Sequence, residues 1–109
     1  MSYDEKLAAR IRALLNSNPG LSERKMFGGI AFMINGNMCC GVSGEDLMLR
    51  VGAADCEAAL AQPHARPMDF TGRPMKSMVF VGPGGTRSGK SLSAWVDRAY
   101  TFAASLPPK

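Results

Sequence analysis

Residues that could bind nucleotide phosphates lie near the C-terminal end of the sequence, in the stretch GGTRSGKS from Gly84 to Ser91. This stretch satisfies G-x-x-x-x-G-K-[ST], in which backbone N–H groups, a lysine and a hydroxyl surround the phosphates of ATP or GTP. Gly89, Lys90 and Ser91 are therefore candidate anion-binding residues. The pattern is short and the chain has 12 glycines, so a chance match is easy. The elements around the stretch decide between the two interpretations.

The other reactive side chains do not form a recognisable catalytic or metal-binding group. His64 is the only histidine, and no partner at catalytic-triad spacing can be proposed for it. The three cysteines and His64 lack the spacing of a four-ligand zinc site. Because side chains alternate along a strand, Cys39 and Cys40 are expected to lie on opposite faces and to serve packing. The sequence therefore predicts no catalytic residue, no metal and no cofactor.

Composition and charge narrow the class of protein. The chain has 109 residues, of which 46% are apolar and 20% charged, which predicts one folded domain over residues 1–109. Thirteen basic residues against 9 acidic ones give a net charge of +4. The basic residues are scattered, so direct DNA binding is an alternative that the charge permits but does not require. An odd cysteine count and the lack of a signal peptide or membrane span predict a reduced, cytoplasmic protein.

The first half of the sequence predicts a helix and then an antiparallel meander. Four apolar residues share one helical face before Pro19, namely Leu7, Ile11, Leu14 and Leu15. Asn35-Gly36 between two apolar runs predicts a two-residue hairpin turn. The segment from Arg24 to Val51 then forms three strands joined by tight turns. Gly28 and Gly29 fall inside the first of these strands and suggest a bulge or a close approach by another element.

The second half predicts a helix, two strands and a final helix. The helix spans Ala53 to Gln62, an edge strand lies near Met68 to Phe70, and a further strand runs from Met75 to Val81. The final helix has a broad apolar face made of Leu92, Trp95, Val96, Ala99, Phe102, Ala103 and Leu106. The predicted fold is therefore α+β, with an antiparallel sheet and the order αβββαββα.

This order argues against a nucleotide-binding P-loop. Such a loop belongs to a parallel sheet and works with an acidic residue at the end of a second strand, which handles Mg²⁺. No strand is predicted after Ser91. We therefore interpret Gly84–Ser91 as a loop whose glycines supply turn geometry and in which Ser88 or Ser91 caps the last helix. Anion or nucleotide binding by Gly89, Lys90 and Ser91 remains the alternative.

Several stretches together resemble the N-terminal domain of the TfoX/Sxy family, here standing alone: RKMFGGIAFMINGNMCCGV, LMLRVG, ALAQPHARPMDFTGRPMKSMVFV and LSAWVDRAYTFAASLPPK. The resemblance covers nearly the whole chain. It implies a bacterial, cytoplasmic protein whose α+β fold is similar to that of secretion chaperones. Longer family members are regulators of natural competence that act alongside a transcription activator. The family implies no catalytic residues, so none is carried over.

The predicted function is that of a non-enzymatic binding and regulatory domain acting by protein–protein contact. The resemblance implies a partner in the transcription machinery, and an open sheet edge would also permit a homodimer. The predicted partner surface joins the Gly28-Gly29 strand to a segment in which cations surround apolar side chains, namely Arg66, Met68, Phe70, Arg73, Met75 and Lys76.

Overall fold

A computed structural model describes residues 3–26, 28–67 and 77–108. Its helices are α1 (Glu5–Leu15), α2 (Ala53–Leu60) and α3 (Gly89–Ser105). Its strands are β1 (Leu21–Met26), β2 (Gly29–Ile34), β3 (Asn37–Ser43), β4 (Asp46–Arg50), β5 (Ala65–Pro67) and β6 (Met78–Val81). A 3₁₀ turn, Pro83–Gly85, connects β6 to α3.

The six strands form one sheet in the order β1-β2-β3-β4-β6-β5, and every neighbouring pair is antiparallel. The α+β class and the antiparallel sheet are thus confirmed, and the order of elements is compatible with the predicted one. The likeness to secretion chaperones stays a prediction. The predicted strand Met68 to Phe70 lies outside the described residues, and the short edge strand is β5 instead.

The main difference from the prediction is in the segment around Gly28, where one strand was expected and two strands, β1 and β2, are found. Gly28 has a φ of +72° and lies in the turn between β1 and β2. A left-handed residue interrupts an extended strand, so β1 turns back and pairs along the full length of β2. The predicted bulge at this point is therefore wrong. The sheet gains an extra edge strand, β1, whose hydrogen-bonding groups on one side are not paired with any described strand.

Local signals account for two other boundaries. The Asp4 side chain accepts hydrogen bonds from the backbone N–H groups of Lys6 and Leu7, which starts α1. Asn35 and Gly36 have φ values of 53° and 83° and join β2 to β3. Two consecutive positive φ values are what a type I′ hairpin turn requires, so the predicted hairpin is confirmed.

All three helices contribute to one apolar core against the central strands. Ile11 of α1 and Val96 of α3 belong to the same buried cluster as Phe32, Leu47 and Leu49 of the sheet. Side chains alternate along each strand, so the neighbouring positions lie on the other face. There a second buried cluster is formed by Ala31, Met33, Met38, Met48, Met78 and Phe80.

The adjacent cysteines do not alternate as predicted. The pairing of β2 with β3 shifts between Phe32, which faces Cys40, and Met33, which faces Met38. Cys39 is the extra residue of this β-bulge. The bulge turns Cys39 and Cys40 to the same side, and both are fully buried in the main core.

Candidate functional site

Gly28 and Gly29, the first two predicted partner-binding residues, occupy different environments. A Cβ atom added to Gly28 would have no atom within 4 Å, so this residue faces open space. A Cβ atom on Gly29 would lie 1.8 Å from the carbonyl oxygen of Val42. The close approach predicted for the glycine pair is therefore present at Gly29, where β3 is the approaching element. Gly29 serves the contact between strands, whereas Gly28 is accessible.

Arg66, the third predicted residue, lies in β5 and reaches back across β6. Its guanidinium forms two hydrogen bonds with the carboxylate of Asp46, one of them 3.3 Å long. The guanidinium carbon also lies 4.9 Å from the centre of the Phe80 ring. Because the Asp46 carboxylate already accepts hydrogen bonds from its guanidinium, Arg66 is less available to a partner protein than its exposed surface suggests.

The predicted surface is only partly described. Met68, Phe70, Arg73 and Lys76 lie outside the described residues, as does Met75. Gly29 and Arg66 lie on β2 and β5, with β3, β4 and β6 between them. Neighbouring strands are about 4.8 Å apart, so roughly 19 Å of sheet separates the two ends of the predicted surface. Their role in partner binding stays a prediction.

The accessible feature that sequence reasoning missed is the outer edge of β1. Ser22, Glu23, Arg24 and Lys25 are all exposed. The signal that could have revealed it is the charged run SERKM, because charges are characteristic of edge strands. The separate edge strand is not predicted when Arg24, Gly28 and Gly29 are assigned to one continuous strand.

Glu23 is held by a helix residue across this edge. The Arg12 guanidinium donates two hydrogen bonds to the Glu23 carboxylate, at 2.6 and 2.8 Å. This hydrogen bonding lowers the pKa of Glu23 and raises that of Arg12. Glu23 is thereby neutralised within the chain, while Arg24 and Lys25 remain as the outward charges of β1.

We expect Glu23→Gln to cost about 0.5 kcal/mol of stability at neutral pH, the usual worth of an exposed ion pair. The pKa of Glu23 is lower in the folded protein than its ordinary value of 4.5. The ion pair therefore stabilises the fold fully at pH values above that ordinary pKa. This stabilisation is lost as the pH falls through the lowered pKa of the folded state. Urea denaturation of wild type and variant over this pH range measures the difference. Arg12→Gln removes the same ion pair, so the double variant Glu23→Gln/Arg12→Gln should lose no more stability than either single variant. Additive losses of stability would contradict this account.

The glycine–lysine stretch has strand–turn–helix connectivity but not the environment of a P-loop. Its preceding strand, β6, is antiparallel to both neighbours, β4 and β5. The loop also uses its own backbone donors. The N–H of Gly85 donates to the carbonyl of Gly82 at 2.9 Å, and that of Thr86 to the carbonyl of Pro83 at 3.2 Å. These N–H groups are therefore not turned towards a phosphate.

The candidate anion residues Gly89, Lys90 and Ser91 form the exposed first turn of α3. Ser88 is the N-cap, and its hydroxyl oxygen accepts a hydrogen bond from the N–H of Ser91 at 3.0 Å. The predicted cap at Ser88 is therefore confirmed. One of the free N–H groups that would bind an anion at this helix end is consequently already occupied.

Two glycines of the stretch, Gly84 and Gly85, lie against the side chain of His64. A Cβ atom on Gly84 would lie 2.6 Å from Cε1 and 2.8 Å from Nδ1 of the His64 ring, and one on Gly85 would lie 3.0 Å from its Cβ. The backbone carbonyl of His64 also accepts a hydrogen bond from Gly82 at 3.0 Å. His64 has a φ of 69° and lies in the turn between α2 and β5. The ring therefore lies directly on the glycine backbone.

The three cysteine thiols are buried. Burial raises the pKa of Cys56, and a hydrogen bond with Cys39 together with burial raises that of Cys40. The thiolate is the reactive form, so neither cysteine has the environment of a nucleophile. The packing role predicted for Cys39 and Cys40 agrees with this position.

We expect the native protein to react only slowly with Ellman's reagent at mildly alkaline pH, because reaction requires an accessible thiolate. In urea, where the protein is unfolded, all 3 cysteines should react rapidly and release three equivalents of thionitrobenzoate from the reagent. A thiol that reacts in the native protein as fast as in the unfolded chain would contradict the buried positions.

Residues 3–26, 28–67 and 77–108 contain no group of three or more histidine, cysteine or acidic side chains that could hold a metal ion. Within the same ranges, no helix has the length and apolar character needed to cross a membrane.

Comparison with known proteins places the chain in a family. The model of the TfoX N-terminal domain matches residues 13–103 of the 109-residue chain, from within α1 to near the end of α3. Neither the comparison with curated proteins nor that with solved structures gives a match. Because the match covers far more than half of the chain, the protein belongs to the TfoX N-terminal domain family.

Proposed function

We propose that this chain is a non-enzymatic, regulatory binding domain whose partner is a protein that adds an acidic extended segment to the outer edge of β1. The observation that carries the proposal is the exposed, positively charged edge strand. The partner's backbone would continue the sheet, as in β-augmentation, and its acidic side chains would meet the cations of the edge.

The geometry of β1 suits such an addition. The strand has six residues and pairs with β2 along all of them, so its backbone is held extended. Its other side faces no strand among the described residues. An edge of this kind presents a row of backbone donors and acceptors at the spacing that an incoming strand needs. The opposite edge strand, β5, has three residues and ends in Pro67, which gives it less to offer.

Charge identifies the chemistry of the partner. Arg12 neutralises Glu23 through the paired hydrogen bonds, which leaves Arg24 and Lys25 as cations. Cross-strand pairs of opposite charge stabilise a sheet, and like charges directly opposite destabilise it. A segment with acidic side chains on both faces would meet Arg24 on one face of the sheet and Lys25 on the other.

The same charges disfavour a second copy of the chain. In an antiparallel pairing of two β1 strands that preserves the faces of the sheet, one residue must lie opposite itself. Centred on Arg24, the pairing sets two guanidinium groups against each other; centred on Lys25, it sets two ammonium groups against each other. A different protein with an acidic segment avoids this repulsion.

The test uses two variants with the same change in net charge. The first, Arg24→Glu with Lys25→Glu, reverses the edge, and the second, Arg87→Glu with Lys90→Glu, reverses two exposed cations of the loop and α3. Fluorescence anisotropy measures binding of a labelled peptide in which pairs of adjacent glutamates alternate with pairs of valines, so that both faces of the extended segment carry carboxylates. We expect the first variant to lose about tenfold or more in affinity, because two favourable cross-strand charge pairs are replaced by like-charge repulsion. The second should change affinity far less.

Two outcomes would overturn the proposal. Equal losses in both variants would mean that the peptide responds only to net charge. Unchanged binding in the edge variant would place any contact elsewhere. Light scattering on the wild-type chain tests whether a second copy of the chain occupies the edge instead. A concentration-dependent dimer that the edge variant abolishes would make that second copy the partner.

A further inference from the structure

A cavity of about 260 Å³ lies between the turn after α2, the 3₁₀ turn and the first half of α3. Its polar and aromatic lining consists of Gln62, His64, Ser91, Trp95 and Arg98, and Gly84 and Gly85 form part of its wall. The cavity lies away from β1, so it is independent of the proposed partner edge. Nothing in the domain's fold or in the edge contact requires it.

The central polar group of the cavity lining is Arg98. Its Nη1 atom is buried and has no hydrogen-bond partner among the described residues. The nearest carboxylate oxygen, Oδ2 of Asp55, is 3.6 Å away, an ion-pair distance that is too long for a hydrogen bond. Buried donors are nearly always satisfied, so this guanidinium is short of an acceptor.

The guanidinium is also held in place by an aromatic ring. Its carbon lies 5.3 Å from the centre of the Trp95 ring, and Trp95 is 8% exposed. Ala94 and Pro63 extend the apolar wall beside the ring. A cation fixed on an aromatic face, in a cavity that the Ser91 hydroxyl also lines, forms an orienting group inside a largely apolar wall, which is typical of small-molecule sites.

We propose that this cavity binds a small organic carboxylate whose oxygens accept hydrogen bonds from the Arg98 guanidinium and the Ser91 hydroxyl, and whose apolar body contacts Trp95. Arginine and carboxylate match in geometry, because the planar fork donates to both oxygens. The volume suits a molecule the size of a single aromatic acid.

The same surroundings disfavour inorganic phosphate. Asp55 is ion-paired with Arg98 at 3.6 Å, and its charge would repel a dianion more strongly than a carboxylate. The helix end adds little, because the N–H of Ser91 already donates to the Ser88 hydroxyl. The specificity therefore rests on one guanidinium, one hydroxyl and the ring of Trp95.

Trp95 makes the site directly observable, because it is the only tryptophan in the chain. We expect benzoate to change its fluorescence saturably, and the neutral isostere benzamide and inorganic phosphate to have much weaker effects. Arg98→Gln should lower the affinity for benzoate about tenfold or more, and Ser91→Ala about threefold, as expected for a charged and a neutral hydrogen bond. Arg87→Gln, an exposed arginine outside the cavity, is the control.

Because Arg98 touches Trp95, calorimetry must confirm each fluorescence result. If Arg98→Gln does not fold, Arg98→Lys gives the test, since it keeps the charge but loses the fork and should still weaken binding. Saturable binding of benzoate that depends on Arg98 supports the proposal. Three results would overturn it: no saturable binding of benzoate, equal binding of benzamide, or binding of phosphate alone.

Discussion

Replacing Gly29 with alanine is expected to destabilise the protein by about 3 kcal/mol, the upper part of the range for forcing atoms into a closely packed site. The added Cβ would lie 1.8 Å from the carbonyl oxygen of Val42, 2.8 Å from its carbonyl carbon and 3.1 Å from the Cα of Ser43. All three are backbone atoms of β3, so no side chain can turn aside to make room. The pairing of β2 with β3 would have to shift, and urea denaturation measures the loss.

The neighbouring glycine supplies a matched control. Gly28→Ala meets no atom within 4 Å, but the residue keeps its φ of +72°. An alanine in the left-handed region costs about 1 kcal/mol, so this variant should lose much less stability than Gly29→Ala. Equal losses, or a Gly29→Ala variant as stable as wild type, would contradict the close approach of β3.

The second large effect is expected at the centre of the core. Phe32→Ala should cost about 3–5 kcal/mol, because the ring is completely buried and its removal leaves a cavity between the sheet and the helices. Since a domain of this kind is typically stable by only about 5–15 kcal/mol, the variant would be close to unfolding at room temperature. Thermal and urea denaturation followed by circular dichroism measure this loss.

The control for Phe32 is another large apolar residue that is not buried. Leu14 of α1 is 42% exposed, so Leu14→Ala should change the free energy of unfolding by no more than about 0.5 kcal/mol. Comparable losses at Phe32 and Leu14 would mean that the core does not lie between β2 and the helices.

Much of the fold could be predicted because its determinants are local. The Asn35-Gly36 turn needs two positive φ values that these residue types tolerate, and α3 has an apolar stripe at helical spacing. The division of the segment around Gly28 could not be predicted, because a glycine is equally compatible with a bulge, a strand and a turn. The bulge at Cys39 was missed for a related reason, since it depends on the register with β2.

The sites were harder to predict because they join residues distant in sequence. The antiparallel order was enough to interpret the Gly84–Ser91 stretch as a loop rather than a P-loop. The contact of His64 with Gly84, and that of Arg98 with Trp95, each depend on how elements come together in space. The charged edge of β1 was visible only once Arg24 and Lys25 were assigned to a strand of their own.

Amide hydrogen exchange at β1 tests the proposed function most directly. With the acidic extended peptide bound, the outward-facing amides between Ser22 and Met26 should become protected, because the incoming backbone accepts their hydrogen bonds. The amides of α3 should be unaffected. Binding of the peptide without any added protection in β1 would contradict the account.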